Sequence, residues 1–221
     1  MISKIPRWVL LGGGVLAFAA GMINAIALLG FAGRAATHVT GIFSHMSIAF
    51  SRGDLTTVQQ ALLILFSFLI GAVLSGIMIR DAQLKLDSRY SWALAVECVL
   101  LLLSTGEFTR GSILGECFAS MAAGLQNAMA STYSGAIIRT THLTGVMTDL
   151  GVLIGHYFHG LPVDLRRVKL FLTLIISFTL GGFLGAVFFR YYGVMAMLAP
   201  AAVIGMAAIS FNFFQRSARK K

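Results

Sequence analysis

The chain has 221 residues, 57% of them hydrophobic and 11% charged, with a formal net charge of +9. A soluble domain carries charge on about a quarter of its residues, so this composition excludes a water-soluble globular domain. The positive charge would suggest nucleic acid in a soluble protein. Here the basic residues stand at the ends of apolar runs: Lys4 and Arg7, then Arg166, Arg167 and Lys169, then Arg216, Arg219, Lys220 and Lys221. That is the topology signal of a membrane protein, and no nucleic-acid partner is expected.

Apolar runs of about 20 residues read as membrane-crossing helices. In chain order the sequence predicts a helix over 9–30, a short piece over 38–50, and helices over 55–79 and 91–106. It then predicts a helix over 112–134, a second short piece over 142–158, and helices over 168–189 and 193–214. Pro200 falls inside the last and is a candidate kink. The first segment has the outline of a secretory signal, but a near-copy recurs deep in the chain, so it is read as a retained helix. Cys98 and Cys117 lie in apolar segments without metal or redox spacing and read as small packing residues.

The chain repeats itself. Ala20-Gly21-Met22-Ile23-Asn24-Ala25 matches Ala123-Gly124-Leu125-Gln126-Asn127-Ala128 at an offset of 103, and Thr37-His38-Val39-Thr40-Gly41 matches Thr141-His142-Leu143-Thr144-Gly145 at 104. Ser67-Phe68, Gly71 and Arg80 match Ser177-Phe178, Gly181 and Arg190 at 110. Ordered matches with growing offsets indicate duplication, with most of the insertion near His156–Pro162. One integral membrane domain, 1–221, made of two homologous halves, 1–110 and 111–221, is expected.

The expected fold class is an all-α polytopic membrane protein, and its topology turns on the short pieces. Thirteen residues reach about 20 Å, short of a hydrocarbon core of about 30 Å. If the two pieces are re-entrant or broken, six helices cross, and 13 of the 17 Lys and Arg face the cytoplasm. The alternative of eight crossings puts 11 there, and loop 80–90 with Arg80, Lys85 and Arg89 makes the difference. Six crossings invert one half relative to the other. Inverted repeats with interrupted helices recur in secondary transporters, with binding near the bilayer midplane. Both termini are then expected in the cytoplasm.

Several polar residues are candidates for a substrate or ion site. Asn24, Gln126 and Asn127 put amides inside apolar helices, where they need partners. Such amides either bond helices together or face a solute. Thr37, His38 and Thr40 open the first short helix. Arg139, Thr141, His142 and Thr144 open the second, with Asp149 following. Threonine at a helix start can cap free N–H groups, and such an end suits an anion. The plainer reading is capping plus an ion pair of Arg139 with Asp149 or Glu116. Asp149 and Glu97 are the acids expected deepest in apolar segments, where carboxylates face a cavity or a partner. His38 and His142 are relay candidates for proton coupling. Ser67, Gly71 and Ser75, with Ser177, Gly181 and Gly185, form small-residue faces, read either as a homodimer surface or as packing of the two equivalent helices on each other. The sequence carries no catalytic signature, so no enzymatic activity, cofactor or metal is expected.

With Ala20–Ala25, Thr40-Gly41, Gly124-Leu125-Gln126-Asn127 and the Arg139–Gly145 run in view, the chain resembles the YoaK-like family of small bacterial membrane proteins, a domain of unknown function. The resemblance covers essentially the whole chain and implies a polytopic inner-membrane protein of about six helices. Family members often have Asp where Asn24 stands, and Asn where this chain has Ile42, which weakens the case for a carboxylate ion site in the first half. The resemblance implies no substrate. The sequence as a whole points to a secondary transporter or facilitator of a small polar solute, an anion included, sited where the two repeats meet. A channel-like pore and a non-transporting scaffold are the alternatives, with membrane lipid as the surrounding partner.

Overall fold

The computed structural model describes residues 7–30, 37–79, 88–134 and 140–218, and every element among them is helical. The order is α1 (Arg7–Gly30), α2 (Val39–Ser51), α3 (Leu55–Met78), α4 (Ser88–Thr109), α5 (Leu114–Ser134), α6 (Leu143–Phe158) and α7 (Leu165–Tyr192). A 3-10 turn (Gly193–Met197) then leads into α8 (Leu198–Ala218). The eight expected pieces appear in the expected order, α4 and α7 each starting three residues earlier. Pro200 does not kink α8. It sits in the first turn, where its missing N–H is not needed. The break falls instead at Gly193, whose φ of 56° suits glycine. Without a break, the 49 apolar residues Leu165–Phe213 would reach about 73 Å, more than twice the hydrocarbon thickness.

Among the described residues, four helical stretches are long and apolar enough to cross a membrane: Leu10–Gly30, Leu55–Met78, Ser88–Thr109 and Leu165–Phe213. The outer side of α3 exposes Leu62, Leu63, Phe66, Leu69, Ile70, Val73 and Ile77 in one continuous apolar surface. Water does not tolerate such a surface and lipid does, so this is a helical membrane protein. α5 is less apolar because other helices enclose it: Ala119, Ser120, Ala122, Ala123, Leu125 and Gln126 are all buried.

The tightest packing pairs α1 with α7 and α3 with α5. A Cβ on Gly21 would collide with the Phe178 carbonyl, and one on Gly181 with that of Phe18. In the other pair, Gly124 lies as closely on the Phe68 carbonyl and Gly71 on that of Met121. Glycine is required at all four positions because backbone meets backbone there. The small-residue faces of α3 and α7 are thus used within the chain. Their partners are α5 and α1, however, and not each other as the sequence suggested. A helix of small residues packs closest where the facing helix is small too, and α1 and α5 carry the matching Ala-Gly steps. Ser67 donates to the Leu63 carbonyl and Ser75 is fully buried, while Gly185 lies against Met22 and Ser177 faces Gly14.

Contact registers give the helix directions. Gly14 meets Thr173 and Ser177, and Gly185 meets Met22, so α1 and α7 run parallel. Ser120 donates to the Ile64 carbonyl and Gly124 meets Phe68, so α3 and α5 run parallel. α4 turns back along α5, with Ser104 donating to the Gly115 carbonyl. α4 is also antiparallel to α8: Ser91 donates to the Ala208 carbonyl and Cys98 to that of Ala201.

The two short helices are hairpin partners of the long ones. α2 packs on α3 through Ile42, Ala61 and Ile64, and α6 packs on α7. The hairpins turn at Gly53 and Gly160, with φ of 71° and 70°. Asp54 caps α3 by accepting from the Thr57 N–H, and Asp164 caps α7 by accepting from the Arg166 N–H. Sharing a turn with a 24-residue helix, the 13 residues of α2 cover about 20 Å of its roughly 36 Å. The 16 residues of α6 likewise cover a little over half of α7. Both short helices therefore begin near the middle of the bundle.

Candidate solute-binding site at the starts of the short helices

Each short helix is tied at its start to an asparagine of a central helix. In the first half the Thr37 hydroxyl donates to Asn24 Oδ1 at 2.5 Å. In the second half Asn127 Oδ1 accepts from the Thr140 hydroxyl at 3.1 Å and from the Thr141 N–H at 3.2 Å. The Asn127 Nδ2 also donates to the Thr141 hydroxyl. Thr37 and Thr140 are buried and both asparagines half-buried. The buried Gln126 joins α5 to α1 by donating from Nε2 to the Leu16 carbonyl at 2.7 Å, and its Oε1 has no partner among the described residues.

The cap is histidine, not threonine. His38 precedes α2 and its Nδ1 accepts the Gly41 N–H at 3.1 Å, with Nε2 3.4 Å from the Thr40 hydroxyl. A Cβ at position 41 would strike this ring, which explains the glycine of the Thr-His-x-Thr-Gly pattern. His142 occupies the same place before α6 and its ring also lies over Gly145, but it makes no capping hydrogen bond. Thr37 and Thr141 are spent on the asparagines, which is why they do not cap. The capping role of histidine was legible only in the fixed spacing of His and Gly in both copies.

His38, Thr40, His142, Thr144 and Asp149 are exposed on the protein surface. Asp149 follows Val146 by three residues and precedes Leu153 by four, which puts it at the flank of the side of α6 that those two buried residues mark. Arg139 lies outside the described residues, as do Arg80 and Lys85 of the loop on which the crossing count turns. α2 leans on α3 and α6 on α7, while their starts are tied outside those hairpins, to Asn24 of α1 and Asn127 of α5. Two glutamates are buried among the described residues, Glu97 of α4 completely and Glu116 of α5 nearly so. Among the described residues no group of three or more His, Cys, Asp or Glu gathers to hold a metal ion.

A half-buried carboxamide beside an exposed helix start, with N–H groups aimed along the helix axis, suits a small polar or anionic group. A family model described as protein of unknown function (DUF1275) matches residues 13–210. The chain belongs to that family. No curated protein and no solved structure matches it. Membership in DUF1275 accords with the apolar helices and names no solute.

Proposed function

We propose that this DUF1275 protein is a secondary transporter or facilitator of a small polar solute, an anion by preference, with six crossing helices in two inverted halves. In this proposal α2 and α6 enter from opposite sides and stop at mid-bundle, both termini lie in the cytoplasm, and the membrane is the bacterial inner membrane. No catalytic step is part of it.

The observation that carries the proposal is the pair of asparagine-held helix starts at mid-bundle. Inversion is supported by the reciprocal contacts. Adding 110 to Ser91 and Cys98 gives Ala201 and Ala208, so the two α4–α8 hydrogen bonds exchange under one two-fold rotation. The glycine contacts exchange likewise: Gly21 with Phe178 becomes Gly124 with Phe68 under offsets of 103 and 110. Equivalent helices α4 and α8 run antiparallel, as inverted halves require, whereas eight alternating crossings would make them parallel. Half-length helices with N-termini at the midplane are where such carriers hold anionic groups.

Purified protein in liposomes, loaded in turn with labelled chloride, acetate, phosphate and glutamate, tests the proposal. Flux of at least one solute is expected, with counterflow marking a carrier and ohmic flux without counterflow marking a pore. Asn24→Ala with Asn127→Ala should abolish the flux, and unchanged flux in the folded double variant would remove the site. Labelling of loop 80–90 from the cytoplasmic side is the outcome expected of six crossings, and labelling from outside would overturn the inversion.

A further inference from the structure

The most isolated polar group among the described residues lies away from the asparagine sites. Glu97 is completely buried near the middle of α4, nine residues from its start and twelve from its end, or about 14 and 18 Å. Neither of its carboxyl oxygens has a hydrogen-bond partner among the described residues.

Among the described residues, no basic residue of the elements around it stands close to it. α4 packs against α5, α8, the 3-10 turn and, lightly, α3. The titratable residues on those elements are Glu116, Cys117 and Tyr133 of α5 and Arg216 near the end of α8; the 3-10 turn and α3 carry none. α4 itself adds Arg89, Tyr90, Cys98 and Glu107, and Glu107 is engaged by Arg110 at 2.7 Å. The nearest basic residue on these elements, Arg89, is eight positions away, or about 12 Å along the axis. Position 207, the counterpart of Glu97 at the 110 offset, is an alanine.

An acid in such a place costs more than any packing it supplies, and in membrane proteins that pattern marks a pathway for protons or ions. A calcium or magnesium ion would need about six oxygen ligands, and the facing side of α8 presents Ala201, Gly205 and Ala208 instead. A proton needs no ligand shell. We infer that Glu97 is a proton-binding site, and that the proton is the ion coupled to solute movement. The step is protonation of one carboxylate oxygen and its reversal, with no other bond made or broken.

The coupling role rests on the carrier proposal; the proton site itself does not, and its test needs no solute. The chain has three glutamates, Glu97, Glu107 and Glu116, so carboxyl-labelled glutamate gives three carbon signals in lipid nanodiscs. Glu97→Gln identifies its signal by loss, and Glu107→Gln with Glu116→Gln identifies it by elimination should that variant not fold. As pH is raised from acid to alkaline, the Glu97 signal should move reversibly through a full carboxyl protonation shift. A signal fixed in either state across that range would overturn the inference. Full titration of Glu97 with no flux of any solute would defeat the carrier proposal while leaving the proton site standing.

Discussion

The first and second halves of this protein agree at the helix pairs and differ at the short-helix starts. Gly21 on Phe178 and Gly124 on Phe68 are the same contact made twice, and so are Gly181 on Phe18 and Gly71 on Met121. At the short helices, Asn24 accepts one described hydrogen bond and Asn127 takes part in three, while His38 caps its helix and His142 does not. Where backbones touch, one geometry is permitted and both copies keep it. Where side chains reach through half-exposed space, each copy has found its own bonding pattern.

The largest expected effect breaks the shared part. Gly71→Leu and Gly181→Leu each force a side chain into a facing backbone, where overpacking costs about 3 kcal/mol or more. Both variants should lose a cooperative thermal transition in detergent to the same degree, and a wild-type transition in one of them alone would end the equivalence of the two pairs. Next come the asparagines. At about 0.6–1 kcal/mol per hydrogen bond in a membrane bundle, Asn127→Ala should cost about 2 kcal/mol and Asn24→Ala about 1. Equilibrium unfolding of the two variants measures the difference, and the reverse order would count against it.

A smaller contrast separates the histidines. His38→Ala removes a helix cap, a loss of about 1 kcal/mol, whereas His142→Ala removes no capping bond. Hydrogen exchange should therefore rise at the first turn of α2 in the one variant and stay unchanged at α6 in the other. The smallest effect concerns Asp54. Hydrogen bonds from the Thr57 hydroxyl and N–H hold its carboxyl below the usual carboxylate range. A lowered value means that its stabilisation of the α3 start is complete above the unfolded value, near pH 4, and is lost as pH falls through the folded one. Amide exchange at Thr57 should quicken only below about pH 4, and Asp54→Asn should flatten that response.

Much of this was legible along the chain. Eight helical pieces, two of them short, follow from runs of apolar residues, because lipid forces every backbone group into a helix. The importance of Asn24, Asn127, Thr37 and Thr141 was legible from their recurrence, since a polar group kept twice in an apolar segment has a partner to meet. Their pairing with each other was not, because thirteen or fourteen residues of chain separate them. Glu97 has no counterpart in the second half, so repetition gave no signal for it, and its isolation emerged only once four elements closed around α4.

By itself, the sequence determined the solvent, the helices and the offsets of 103, 104 and 110 that relate the two halves, since apolar runs and repeated motifs are properties of one dimension. Tertiary structure decided which helix meets which. α3 chose α5 and α7 chose α1 because closest approach needs small residues on both faces at one register. The same choice set α4 antiparallel to α8 and enclosed Glu97 without a hydrogen-bond partner among the described residues.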